Sequence, residues 1–487
     1  MSTSQRLVVL ALAVSAAFLA APARADDVDG GVDRSHQPPA APETAWAPPT
    51  PVRFTSHGLD VYLVERHDVP IVQLGIGWNV GDVLDPAGKE GVTSLCTDVM
   101  GEGTKELDKN ALEDRKADIG ASVDVGAGRE AARLTVSATK EHIGDALDLA
   151  AKLLLEPGMR AADFERLRNQ RKANVLQQKG NADGAAARVY APVMFGAAHP
   201  YGRIATSKSL DAITLADCAA VVAQYRPEGA ALVVVGDVNK AEVNQLMDEH
   251  FAAWKGKAPG KLKIGAPQQR KGTIFFVDIP GAAQSRIMVA HHGPERTAPD
   301  YYATTVMAQV LGGGIPSRVV QNLREKNGYT YGANARFNYG RSASTMLVAS
   351  SVRTDVTGKA LREVMNEMKG MTSKPPSDDE VNRERTGTVR ALPARFATAS
   401  ATLGSIWEML FFDLPLDTFQ KMPAQLLAVD AKSVAKAVKD RLRTHNVTVV
   451  VAGDRAKIWD DLQAIAKDGV FGTDGIVVVD GDAQPLK

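Results

Sequence analysis

This chain is short of most residues that announce a function. Only two cysteines, Cys96 and Cys218, occur among 487 residues, so neither a disulfide framework nor a C-x-x-C zinc site organises it. Each cysteine sits in an apolar helical pattern and reads as a buried thiol. Neither sign of charge is in excess: Lys plus Arg and Asp plus Glu both total 57, which removes any global electrostatic case for nucleic acid or anionic membrane. Histidine is scarce, and none of the nine stands four residues from another. That excludes the H-x-x-x-H pair that a helical zinc site needs. His291 and His292 are neighbours on an expected strand, point to opposite faces, and read as ordinary sheet residues. Long apolar runs are missing too, apart from one at the start.

That run, Leu7 to Ala21, follows Arg6 and precedes Pro22 and the triplet Ala23-Arg24-Ala25. A charged lead, an apolar stretch too short for a comfortable span and an A-x-A site make residues 1–25 a signal peptide, cleaved after Ala25. The expectation is an exported, periplasmic protein with no membrane span after cleavage. Residues 26–50 ("PPAAPETAWAPPTP" at their end) are too rich in Pro and Ala to build a core and read as a disordered leader.

What is present repeats. Two β-rich runs, Val61 to Glu65 and Ile71 to Val80, lead into helices near Gly91, Lys109 to Ile119, Ile143 to Leu155 and Ala161 to Gln178. The half closes on "GAALVVVGDVNKAEVNQLMDEHF", a buried strand, a Gly-Asp turn and an amphipathic helix. The same order returns from "GTIFFVDIP" to "NVTVVVAGDRAKIWDDLQAIA". Gly236-Asp237 and Gly453-Asp454 are the matching points. The fold class expected is α+β, two homologous mixed-sheet domains with packed helices in a clamshell arrangement. The domains are placed at 51–255 and 273–475, joined by a basic, Gly/Pro-punctuated linker at 256–272. Gly312 to Gly314 follow a helix and lack the Lys-Ser/Thr of a phosphate loop, so they read as a helix stop.

The stretch "GVTSLCTDVMGEGT", Gly91 to Thr104, has an apolar stripe of Val92, Leu95, Cys96 and Val99. On the opposite face stand Ser94, Thr97 and Asp98, grouped as an active site would group its residues. Together with "GWNVGDVLDPAGKEG", "HPYGR" at 199–203, "YRPEGAALVVVGDV", "PGAAQSRI" and "LGGGIPSRVVQNLREKNGYTYG", this stretch resembles the pitrilysin/insulinase family of inverted-zincin metallopeptidases. The likeness is to the short two-domain, mitochondrial-processing-peptidase type, and it spans about residues 50 to 470.

The resemblance implies an H-x-x-E-H motif on this helix. Its two histidines would bind zinc and its glutamate would activate water. Those roles fall on Ser94, Thr97 and Asp98, and the family's third ligand, a downstream glutamate, falls on Gln177, or on Gln178 one residue on. The zinc motif is degenerate, so no metal is assigned to this chain. The resemblance also gives Arg324 and a tyrosine, Tyr331 with Tyr329 as the alternative, the task of holding the substrate carbonyl.

The function implied is that of a non-catalytic, substrate-binding subunit of a heteromeric zinc peptidase. Its partner would be an H-x-x-E-H chain of similar length that holds the zinc, and its substrates peptides. The alternative is a non-proteolytic peptide-binding or scaffold protein of the same fold. An autonomous zinc metalloendopeptidase ranks last, because a zinc site needs about three strong ligands and an open position.

Overall fold

The structure, a computed structural model, describes residues 46–268, 271–472 and 475–486. The signal segment and nearly all of the leader lie outside the described residues. Residues 47–487 form one compact unit built from two six-stranded mixed sheets.

Alternation of large apolar side chains builds the first sheet from β1 (Val52–Ser56), β2 (Leu59–Glu65), β3 (Ile71–Trp78), β4 (Ser122–Ala127), β5 (Ala132–Thr139) and β6 (Ala231–Gly236), in the order β1-β2-β6-β3-β5-β4. The second holds β7 (Thr273–Asp278), β8 (Gln284–His292), β9 (Thr330–Tyr339), β10 (Ser344–Arg353), β11 (Thr448–Gly453) and β12 (Ile476–Val478), in the order β12-β7-β11-β8-β10-β9. The parallel pair β2/β6 corresponds to β7/β11, and the antiparallel β3-β5-β4 run to β8-β10-β9. The duplication read from the two Gly-Asp points is therefore a duplication of topology. Gly236 is required at its own point, because its φ is +145° and a Cβ would lie 2.1 Å from the Ile71 carbonyl oxygen.

The longer helices of the first half are α1 (Val92–Met100), α2 (Lys109–Asp118), α3 (Ile143–Leu155), α4 (Ala161–Lys179), α5 (Ala182–Phe195), α6 (Leu215–Val222) and α7 (Lys240–Phe251). Those of the second are α8 (Tyr301–Gly312), α9 (Thr357–Ser373), α10 (Asp378–Ala391), α11 (Ala399–Phe411), α12 (Thr418–Leu427), α13 (Ala431–Arg441) and α14 (Arg455–Lys467). Two of them cross over. α5 leaves its own sheet and packs on β7, β8 and β11, where Ala185, Val189 and Val193 share a core with Met288, Ala290 and Val450. In return α11 packs on β3 and β6 and lays Trp407 over Gly75 and Gly77. A linker alone does not join the halves: each lends a helix to the other's sheet.

The chain also continues past residue 475 as β12. The tail beyond it docks on the first half, where Arg188 donates to the Gly481 carbonyl at 3.1 Å and to Asp482 at 2.7 Å. No helix among the described residues is long and apolar enough to cross a membrane.

One expectation is overturned. Cys96 and Cys218 are not buried thiols but a disulfide. The pattern placed each cysteine on the inward face of a helix without showing that the two helices meet. α1 packs on α6 with the two Cα atoms 4.9 Å apart, within reach of a bridge.

Candidate functional site

Helix α1 begins where buried carboxylates meet its free backbone N–H groups. Asp85 accepts from Gly91 N at 2.6 Å and Thr93 N at 3.1 Å, and Asp82 accepts from Ser94 N at 3.2 Å. The two acids complete the donors that a first helical turn leaves unpaired. Burial raises both carboxyls above the usual range, Asp85 to about 6, with the neighbouring Asp82 charge adding to it. Gly91 opens the helix at φ +95°, a conformation that suits glycine.

The helix is not the half-polar one its sequence suggests. Ser94 and Thr97 are buried along with the apolar stripe. The Thr97 hydroxyl donates to the Thr93 carbonyl at 2.7 Å and shares a hydrogen bond with the Tyr225 hydroxyl, so it turns inward. Ser94 and Asp98 instead face α4. There Arg171 donates to Ser94 Oγ at 3.0 Å and to Asp98 Oδ2 at 2.5 Å.

Gln178 stands seven residues, two helical turns, after Arg171 and lines the same two cavities, of about 380 and 390 Å³. Gln177 lines neither, and its carbonyl accepts from Asn181 Nδ2 at 2.8 Å. Of the two registers read from sequence, Gln178 is the one brought to Ser94 and Asp98. Arg171 was not among the residues expected here. Its spacing from Gln178 along "RKANVLQQ" was the available signal.

Arg324, Tyr329 and Tyr331 do not line these cavities. Arg324 sits in a π-helical turn, Gln321–Lys326, that leads into β9, an edge strand. Its guanidinium lies 5.0 Å from the Tyr331 ring centre, and Nε lies 3.3 Å from Glu325. Tyr331 is 88 % exposed. Tyr329 is partly buried, with its amide donating to the Leu323 carbonyl at 2.8 Å and its carbonyl accepting from Arg353 N at 3.1 Å.

His291 is buried. Its Nδ1 lies 2.9 Å from its neighbour's carbonyl, its Nε2 accepts from Arg443 N at 3.1 Å, and burial lowers its pKa to about 4. His292 lies at the other face, half-buried beside Phe195.

Residues 60–191 match the family model for the insulinase peptidases (peptidase family M16), and residues 212–388 match the model for the peptidase M16 inactive domain. The chain belongs to the M16 family. Similar proteins include the non-peptidase homolog YmxG of Helicobacter pylori, 22% identical over 81% of this chain and 91% of that one. An uncharacterized zinc protease of Mycobacterium leprae is 26% identical over 45% of this chain and 53% of its own. Among solved structures, a peptidase M16 inactive domain from Pseudomonas fluorescens superposes with a TM-score of 0.77 and 25% identity. That match spans 83% of this chain and 98% of that one. The inactive or non-peptidase description is carried by the Helicobacter pylori homologue, the Pseudomonas fluorescens structure and the second family model, and not by the Mycobacterium leprae protein.

The residues present do not fit the zinc that the M16 family implies. Ser94 and Gln178 offer neutral oxygens, and Asp98 is already ion-paired. The cationic Arg171 stands against both Ser94 and Asp98, where a metal would need their lone pairs. Thr97, at the position of the general base, is hydrogen-bonded into the core. Among the described residues no group of three or more His, Cys, Asp or Glu side chains is arranged to hold a metal ion.

Proposed function

We propose that this chain is the non-catalytic, substrate-binding subunit of a heteromeric insulinase-type zinc peptidase. In this reading Arg324 and Tyr331 reach the zinc site of an H-x-x-E-H partner of similar length and donate hydrogen bonds to the carbonyl of the peptide being cleaved. The zinc belongs to the partner, and none is bound by this chain.

The observation that carries the reading is a contrast between the two motifs. The Ser94/Asp98 pair is closed by Arg171, whereas Arg324, in the turn before the edge strand, and Tyr331, on that strand, form a cation–π pair with the tyrosine exposed. The exposed ring supports Tyr331 over Tyr329 as the partner-facing tyrosine. The M16 inactive-domain match and the likeness to a non-peptidase homologue support a chain that does not hydrolyse peptides by itself. Export to the periplasm, with cleavage after Ala25, is supported by the N-terminal pattern. The Cys96–Cys218 bond supports it too, since such links persist in oxidising compartments.

Affinity purification of the tagged full chain from its native cells tests the proposal. An H-x-x-E-H chain of similar length is expected to copurify in near-equal amount, with peptidase activity in the complex and none in either chain alone. Recovery with non-peptidase partners, or alone, supports the scaffold reading and ends this one.

A further inference from the structure

Arg133 on β5 has glycines as both cross-strand neighbours, Gly77 of β3 and Gly126 of β4. The missing side chains leave room for its own to lie along the sheet, with the guanidinium 4.9 Å from the ring centre of Trp407. Here the two halves enclose a cavity of about 410 Å³, lined by Trp78 and Arg133 of the first half and by Arg341, Met409, Phe411 and Leu414 of the second. That volume is typical of small-molecule sites.

The charges of this cavity do not balance. Two further cations line it, Arg53 and Lys261, and each is paired with a lining carboxylate: Arg53 with Asp60 at 3.0 Å, Lys261 with Asp413. Arg341 is also committed. Its Nε donates to the Phe411 carbonyl at 2.9 Å, a terminal nitrogen donates to the Glu130 carbonyl at 3.3 Å, and the Glu130 carboxylate accepts its backbone N–H at 3.2 Å. The Arg133 guanidinium has only the Trp407 ring; among the described residues it has no hydrogen-bonding or ionic partner. Burial, and the nearby charge of Arg341, disfavour its protonated form.

A half-buried cation without a counter-ion has lost part of its hydration for no ionic return, and the planar fork of a guanidinium is matched by a carboxylate. Met409, Phe411 and Leu414 give the cavity an apolar lining. We propose that this cavity binds a small organic carboxylate with an apolar body, its carboxylate on Arg133 and its body against the wall formed by the end of α11 and the turn after it. The site is separate from both M16 motifs and does not depend on the function proposed for them.

Calorimetric titration of the full chain with phenylacetate and with phenylacetamide tests this. The acid is expected to bind saturably and the amide about tenfold more weakly or less. Arg133→Gln should bring the acid down to the level of the amide, while Arg362→Gln, at an exposed cation outside the cavity that is paired with Asp468, changes it by less than about twofold. If Arg133→Gln does not fold by circular dichroism, Leu414→Trp fills the apolar wall with both guanidiniums intact and should abolish binding of the acid. Absence of saturable binding by the acid, equal binding of acid and amide, or wild-type affinity in a folded Arg133→Gln or Leu414→Trp chain overturns the proposal.

Discussion

Arg171 of α4 lies against Asp98 of α1 at 2.5 Å, with a second arm on Ser94. A cation supplied by the protein stands where M16 peptidases gather ligands for a metal. This pair is partly open to solvent, so Arg171→Ala should cost only about 0.5–1 kcal/mol in denaturant unfolding. The variant should still bind no stoichiometric zinc. Restoring ligands with Ser94→His, Asp98→His and Gln178→Glu should give near-stoichiometric zinc by elemental analysis only when Arg171 is removed as well.

The Cys96–Cys218 bond closes a separation of 122 residues. Loop entropy alone then gives it up to about 4–5 kcal/mol of stabilisation. Cys96→Ala/Cys218→Ala should lower the denaturant midpoint markedly, and a thiol reductant should lower that of the wild type but not that of the double variant.

Asp85 makes stability depend on pH in an unusual direction. Its folded carboxyl is raised from 3.8 to about 6, so the native state holds the proton more tightly than the unfolded chain does. Its contribution is full below about pH 3.8 and is lost as pH rises through about 6, a change on the order of 3 kcal/mol. Asp85→Asn keeps an acceptor for Gly91 and Thr93 without the charge. Thermal melts should therefore show the variant gaining on the wild type as pH goes from 4 to 8.

Gly77 marks the seam between the halves. A Cβ there would come within 2.4 Å of the Trp407 ring. Gly77→Ala should therefore lever α11 from the first sheet and cost about 1–3 kcal/mol in unfolding experiments. Trp407→Leu in the same chain should recover part of the loss.

Many of the strands and helices that serve their own half were legible in the sequence, although α12 and α13 were not. Ile71 onward and Ile143 to Leu155 carry the period of the element they form. The exchanged helices α5 and α11 were not. "ADGAAARVYAPVMF" is rich in small residues, contains Pro192 and packs on a sheet far away in sequence, so no single apolar stripe announces it. Burial on more than one side erases the contrast that periodicity reads. The same cause hid the state of α1: Ser94 and Thr97 look solvent-facing beside Asp98, yet the first meets Arg171 and the second meets Tyr225. The disulfide required knowing that α1 touches α6, a tertiary fact without a local signature.

In the proposed complex Arg324 works on another chain's substrate. The direct measurement is kcat/KM for peptide cleavage by the complex purified from native cells, with wild-type chain and with Arg324→Ala. A fall of about 100-fold or more, at unchanged complex assembly and unchanged zinc content of the partner, is the predicted result. An Arg324→Ala complex as active as the wild type would contradict it.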